Sequence, residues 1–298
     1  MSDSIFNPEI DITNFEQCHI TNWNESMIHK CISDLFISPR KTMYKWSSIT
    51  EQTAHIKIGY VGQHLASVLL NTKGCKTAAR GEDCMDKSEV KSCSRIDQSD
   101  KCKRCKINIT RFDKVCPKCK KNDKIKRNND SKWLLTIRSE SDLKKYLNLD
   151  RLVLIIEEYP NFNKNNFDDI VIKVYEIYPK KEQCKHFKSI LMDYYENIYL
   201  ANVKKNPKKV PAPKNLWPYS FQFYMCNPVK ILECKISNYI TEPVIEVIKY
   251  INYCSARTID DIEKMPVELL KKEEKKILEI SGDKELTHED ILKLKLRN

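Results

Sequence analysis

Arg80-Gly81-Glu82-Asp83-Cys84-Met85-Asp86-Lys87-Ser88-Glu89-Val90-Lys91 is a charged run that ends in the short alternating pattern of a strand. Side chains alternate across a strand with period two, so Glu89 and Lys91 fall on one face and Val90 on the other. Upstream, Ile56, Val61, Leu65, Val68 and Leu69 mark the apolar side of a helix. Ser48-Ile49-Thr50-Glu51 reads as its capping box, and Asn71-Thr72-Lys73-Gly74 as its end. Four of the five glycines lie between 59 and 81, where they let backbones approach or turn just ahead of the charged run. Downstream, Trp133 to Ile137 reads as a strand and Ser139 to Leu147 as a short helix that Ser139 caps through Asp142. Leu152 to Ile156 and Ile170 to Val174 are β-branched runs with the look of buried strands. This order predicts an α/β fold, a mixed β-sheet core flanked by helices.

Between the strand at Lys91 and the strand at Trp133 sits Cys102-x2-Cys105-x10-Cys116-x2-Cys119. Two CxxC turns supply four thiolates, the tetrahedral donor set of a structural zinc site, and four thiolates leave no open position for water. The box therefore reads as an inserted zinc module, with Cys93 as a substitute ligand or, more simply, a small apolar filler. The thirteen cysteines, the absence of a secretory signal at the polar N-terminus, and the lack of any apolar run long enough for a membrane span predict a soluble, cytoplasmic chain with reduced thiols.

The charge is local. From Lys101 to Arg138 there are fourteen Lys and Arg against three Asp, an excess equal to the formal net charge of the whole chain, +11. Such a patch fits a polyanion. Lys103, Arg104, Arg111, Lys118 and Arg127 are the candidate DNA contacts; a guanidinium can grip a guanine edge with two hydrogen bonds, but a phosphate contact or plain exposure is the commoner role for each arginine. A solvated lysine-rich loop is the plainer alternative.

Metal-dependent cleavage of a phosphodiester needs hard oxygen ligands for magnesium and a group that handles the attacking water. Glu89 and Lys91 satisfy part of that requirement on one strand face. The string itself carries little weight: Asp/Glu-x-Lys occurs six times, about what the composition gives by chance. Placement distinguishes Glu89 from the others, and Glu233-Cys234-Lys235 is the one serious rival. The partner acid is Asp83, with Asp86 and Glu82 as alternatives. Gln63 on the preceding helix can approach the site or simply face solvent.

At these residues the sequence resembles the type II restriction endonucleases of the PD-(D/E)xK superfamily, and within them the MamI-type family. The resemblance rests on Arg80-Gly81-Glu82-Asp83, on Ser88-Glu89-Val90-Lys91-Ser92-Cys93-Ser94-Arg95-Ile96-Asp97-Gln98, on the cysteine box and on Asp130-Ser131-Lys132-Trp133, within roughly residues 55–160. It implies a restriction-endonuclease-like sheet and magnesium-dependent hydrolysis of double-stranded DNA at a short specific site. It carries over Asp83, Glu89 and Lys91 as the catalytic positions, with magnesium on Asp83 and Glu89. No proline precedes Asp83, and its spacing to Glu89 is short, which keeps Asp86 and Glu82 open. The implied organisation is a polar, helical region 1–54, a catalytic core 55–203 with the zinc insertion at about 93–130, and a C-terminal region 204–298. That last region opens with a proline-rich arm (Lys204 to Pro218) and ends in charged helices, the final one capped by Thr287. A palindromic target would call for a homodimer. The alternatives are a non-catalytic zinc-ribbon protein that binds nucleic acid, and a repair or recombination nuclease on the same core.

Overall fold

A computed structural model describes residues 18–75, 82–111 and 113–294; Arg80 and Gly81, which open the charged run, lie outside them. The centre is a five-stranded mixed sheet in the order β1-β6-β7-β9-β10. Its strands are β1 (Ser88–Ser94), β6 (Arg151–Glu158), β7 (Ile170–Ile177), β9 (Val229–Ser237) and β10 (Val244–Tyr250). β1 runs parallel to β6, and every other pair is antiparallel. β6 reads Arg-Leu-Val-Leu-Ile-Ile-Glu-Glu and is buried on both faces through Glu157, as expected of a strand with elements packed above and below it. The anticipated architecture, a mixed α/β sheet flanked by helices with a four-cysteine insertion, is what the chain forms.

Helix α1 (Ser26–Cys31) continues through a wide π-helical stretch into α2 (Ser38–Thr50), and α3 (Ile58–Leu70) follows. The reading of Ser48 to Glu51 as a helix start is corrected here. These residues end α2: Glu51 takes left-handed backbone (φ 58°), and the Ser48 hydroxyl donates back to the Lys45 carbonyl at 2.7 Å. Pro39 in the first turn of α2 supplies a start signal instead. The end of α3 is where the sequence put it, with Asn71 in the left-handed region (φ 45°). Helix α3 packs on β1, and Gly62 makes the closest approach. A Cβ there would lie 1.9 Å from Ser92 Oγ.

The insertion after β1 forms its own three-stranded sheet from β2 (Asp100–Cys102), β3 (Asn108–Ile109) and β4 (Ile125–Lys126). β5 (Trp133–Leu135) is a strand as expected, but it pairs with β8 (Lys214–Leu216) in a separate two-stranded sheet. Helix α4 (Glu140–Leu147) is capped by the Ser139 hydroxyl, which accepts from Asp142 N at 3.0 Å. α5 (Lys185–Asp193) runs through a π-helical turn (Tyr194–Tyr199) into α6 (Leu200–Lys205), and α7 (Phe221–Met225) precedes β9. The segment from 204 onward thus supplies β8 and two strands of the central sheet besides its charged helices α8 (Lys272–Ile277) and α9 (His288–Leu292). Thr287 caps α9 through Asp290 as read from sequence. Among the described residues, no helix is long and apolar enough to cross a membrane.

Candidate active site

β1 alternates as its sequence requires. Ser88 and Val90 are buried, and Glu89 and Lys91 look into a groove of about 770 Å³ whose other walls carry Glu82, Thr136, Arg138, Lys145 and Tyr146. The Lys91 ammonium and the Glu89 carboxylate form an ion pair. The loop before β1 folds back tightly: Asp83 N donates to Ser88 O at 3.0 Å, and Lys87 adopts φ 62° to close the turn.

That turn brings Asp83 across the strand. Its Oδ2 accepts from Val90 N at 2.8 Å, and its Oδ1 accepts from Gln63 Nε2 at 2.6 Å. Asp83, Glu89, Lys91 and Gln63 are therefore drawn together by α3, the turn and β1. Asp86 points elsewhere. One of its oxygens accepts from Ser88 N at 3.1 Å and the other pairs with Arg151. Arg151 also binds Glu176 at 3.0 Å, and Glu176 binds Arg257 at 2.9 Å, so Asp86 is one end of a buried ionic chain behind the strand. Glu82 borders the groove. The rival Glu233 and Lys235 are engaged separately, with Lys230 at 2.7 Å and Asp169 at 3.1 Å.

Burial raises the Glu89 pKa above its ordinary value. Lys91 opposes the rise and the Asp83 charge adds to it. Burial acts to lower the Lys91 pKa, but Tyr146, Glu89 and Asp83 together hold it above the usual value. Glu89 on the groove and Asp83, held at both oxygens by Gln63 and Val90 N, lie close enough for their charges to repel, and a pair of carboxylates of this kind suits a divalent cation. Magnesium commonly binds through one or two carboxylates and keeps several waters.

The four cysteines of the insertion converge. The sulfurs of Cys102, Cys105, Cys116 and Cys119 all lie within 4.8 Å of one another, a cluster that could bind a metal such as zinc. Both turns are built alike. Cys105 N donates to Cys102 Sγ at 3.3 Å and Cys119 N to Cys116 Sγ at 3.5 Å. The residue after each second cysteine, Lys106 or Lys120, is left-handed (φ 63° and 56°). The N–H of Cys105 helps draw the Cys102 thiol down to about 7. Cys93 belongs instead to the central core on β1, where burial pushes its thiol up.

The expected DNA contacts divide. Lys103, Arg104 and Lys118 are exposed on the cysteine turns. Arg111 and Arg127 grip the two oxygens of buried Asp100, each at 2.6 Å, and both stack near the Phe167 ring. They hold the insertion together, which corrects the reading of these two as free to meet a guanine. Asp100 is eleven residues from Arg111 and 27 from Arg127, so nothing local in the sequence announced the pairing. Arg138, Lys145 and Tyr146 reach the groove and were not singled out. Arg138 counted only towards the basic segment, and the other two were read only as part of a helix.

The chain matches the family model of the MamI restriction endonucleases over residues 45–268. It is 35% identical over 68 residues to the type II restriction enzyme MamI of Microbacterium ammoniaphilum. That match covers 23% of this chain and 22% of the relative, so the chain aligns with about a fifth of that enzyme's length. No solved structure matches. The family match spans well over half of the residues, and the chain belongs to the MamI restriction endonuclease family.

Proposed function

We propose that this protein is a type II restriction endonuclease that hydrolyses double-stranded DNA at a specific site, with Asp83, Glu89 and Lys91 as a PD-(D/E)xK-type catalytic set. The observation that carries the reading is that Glu89 and Lys91 line a groove with a cationic wall while Asp83, held by Gln63 and by Val90 N of the same strand, lies close behind them, in a chain of this family. Asp83 and Glu89 are the carboxylates that would hold magnesium. When bound, the ion supplies charge against the phosphate oxygens and lowers the pKa of water.

The remaining work falls to the chain's own groups. Gln63 and Val90 N fix the Asp83 carboxylate through one hydrogen bond to each oxygen. Lys91 is paired with Glu89, and its neighbours hold its pKa above the usual value. From that position it orients or helps deprotonate the attacking water and offsets charge growing on the phosphate. Arg138 and Lys145 line the same groove and attract the DNA backbone. Cys102, Cys105, Cys116 and Cys119 hold a structural zinc, and Lys103, Arg104 and Lys118 on the same turns add phosphate contacts. The protein acts as a cytoplasmic homodimer on a palindromic site. Residues 55–203 carry the catalytic groups.

Incubation of the purified protein with plasmid or phage DNA and magnesium tests this. The expected result is a set of discrete, reproducible fragments. A smear or junction-selective cleavage points to a repair or recombination nuclease on this core. DNA that stays intact while still bound contradicts both nuclease readings and leaves a zinc-ribbon binding protein.

A further inference from the structure

Between Glu196 and Glu233 the sequence holds six lysines and no acidic residue. Four of the lysines, Lys204, Lys205, Lys208 and Lys209, flank Asn206-Pro207 and are exposed. None of the four forms an ion pair with a described residue. Lys204 and Lys205 close α6, Pro207 keeps the residues after them out of regular structure, and the stretch is fastened on both sides. On one side the Tyr199 hydroxyl donates to the Arg138 carbonyl at 2.7 Å. On the other, Lys214 of β8 pairs in register with Leu135 of β5, and the Tyr194 hydroxyl bonds the Ala212 carbonyl. Leu135 leads directly into Thr136 and Arg138, which wall the catalytic groove. The charge continues past β8, where the Lys132 ammonium lies 4.3 Å from the centre of the Trp217 ring.

We propose that the 204–209 lysine arm is a second DNA-binding surface, one that takes the phosphate backbone of the duplex beyond the catalytic groove. It rests on the endonuclease reading above, since it places the arm along the same DNA. The chemistry is that of a phosphate track. Four long cations without ion-pair partners among the described residues are carried on a segment that Tyr199 ties to Arg138, and Arg138 and Lys145 line the groove. Contacts of this kind are blind to base sequence and release counterions, so they set the salt dependence of binding.

The test is fluorescence anisotropy on a short random-sequence duplex, without divalent metal, over a range of salt. Replacing Lys204, Lys205, Lys208 and Lys209 together by alanine should make the slope of log K against log salt shallower by about 3 to 4 units. The cleavage rate at saturating DNA should be unchanged. Replacing the same four by arginine should keep the wild-type slope. Replacing Lys272 and Lys276 on α8 by alanine should also leave it unaltered. The arm proposal is overturned, with the endonuclease reading intact, if wild type binds and cuts DNA while the alanine variant keeps the full slope. It is equally overturned if the arginine variant loses binding, which would mark a packing role, or if the alanine variant alters only self-association. Failure of the wild-type protein to bind duplex DNA would overturn both proposals together.

Discussion

Gln63 donates to one oxygen of Asp83, and the backbone of Val90 donates to the other. A carboxylate held at both oxygens cannot rotate away when a cation arrives or leaves. Gln63→Leu removes one of those restraints and should weaken magnesium binding by about ten- to a hundredfold, as calorimetry on the metal would report. Unchanged affinity would separate Gln63 from the site. Glu89 makes a second prediction at this scale. Burial raises its pKa above the ordinary 4.5, so protons compete with the cation starting at a pH higher than for a free glutamate. Metal affinity should therefore fall as pH is lowered, beginning above the pH at which a free glutamate takes up its proton, and a profile that starts to fall no earlier than for a free glutamate would contradict this. For folding the sign runs the other way. A raised carboxyl pKa favours the folded state at acid pH, and that contribution is lost as pH rises through the folded pKa. The shared face of Glu89 and Lys91 was legible in sequence because strand period fixes it. Gln63 could be placed near the site from the sequence, but its bond to Asp83 could not be read, because it joins residues on different elements and a helix glutamine carries no local mark of its partner.

Helix α3 reaches β1 only because residue 62 is glycine. Besides the clash with Ser92 Oγ, an added Cβ would meet Ser92 Cβ at 3.0 Å and Ile155 Cδ1 at 3.3 Å. Gly62→Ala gains helix propensity but forces the helix off the sheet, a cost of about 1 to 3 kcal/mol. Urea denaturation should show a lower midpoint, and adding Ser92→Gly should restore part of it. A single variant as stable as wild type would refute the close packing. The cysteine insertion has a separate small core of Cys102, Ile109 and Cys116. The account predicts about one zinc per chain. Chelation should open the 102–119 region to protease while the central sheet persists, and purified protein without zinc would refute the site. β6 and β7 were legible as unbroken β-branched runs, since strands covered on both faces need no alternation. α2 was not, because the side it buries is Arg40, tied to Asp97 at 2.7 Å and to Glu157. An ionic contact of that kind leaves no apolar periodicity to read.

At the scale of the molecule, the groove beside β1, the lysine arm and the exposed turns of the cysteine insertion are the surfaces on which the proposed endonuclease would hold DNA. The mixed sheet could be anticipated from the order of apolar runs. The joining of β9 and β10 to that sheet could not, because the proline-rich stretch before them reads as a break in the chain, while the pairing of β7 with β9 is long-range. The central claim is that Lys91, opposite Asp83 and beside Glu89, serves the chemical step and not the binding of DNA. Lys91→Ala tests it in one comparison: single-turnover cleavage of a plasmid with magnesium, set against duplex binding without it. The account predicts a cleavage rate reduced by at least about a hundredfold with DNA affinity within a few-fold of wild type. A Lys91→Ala protein that cuts at the wild-type rate would contradict it.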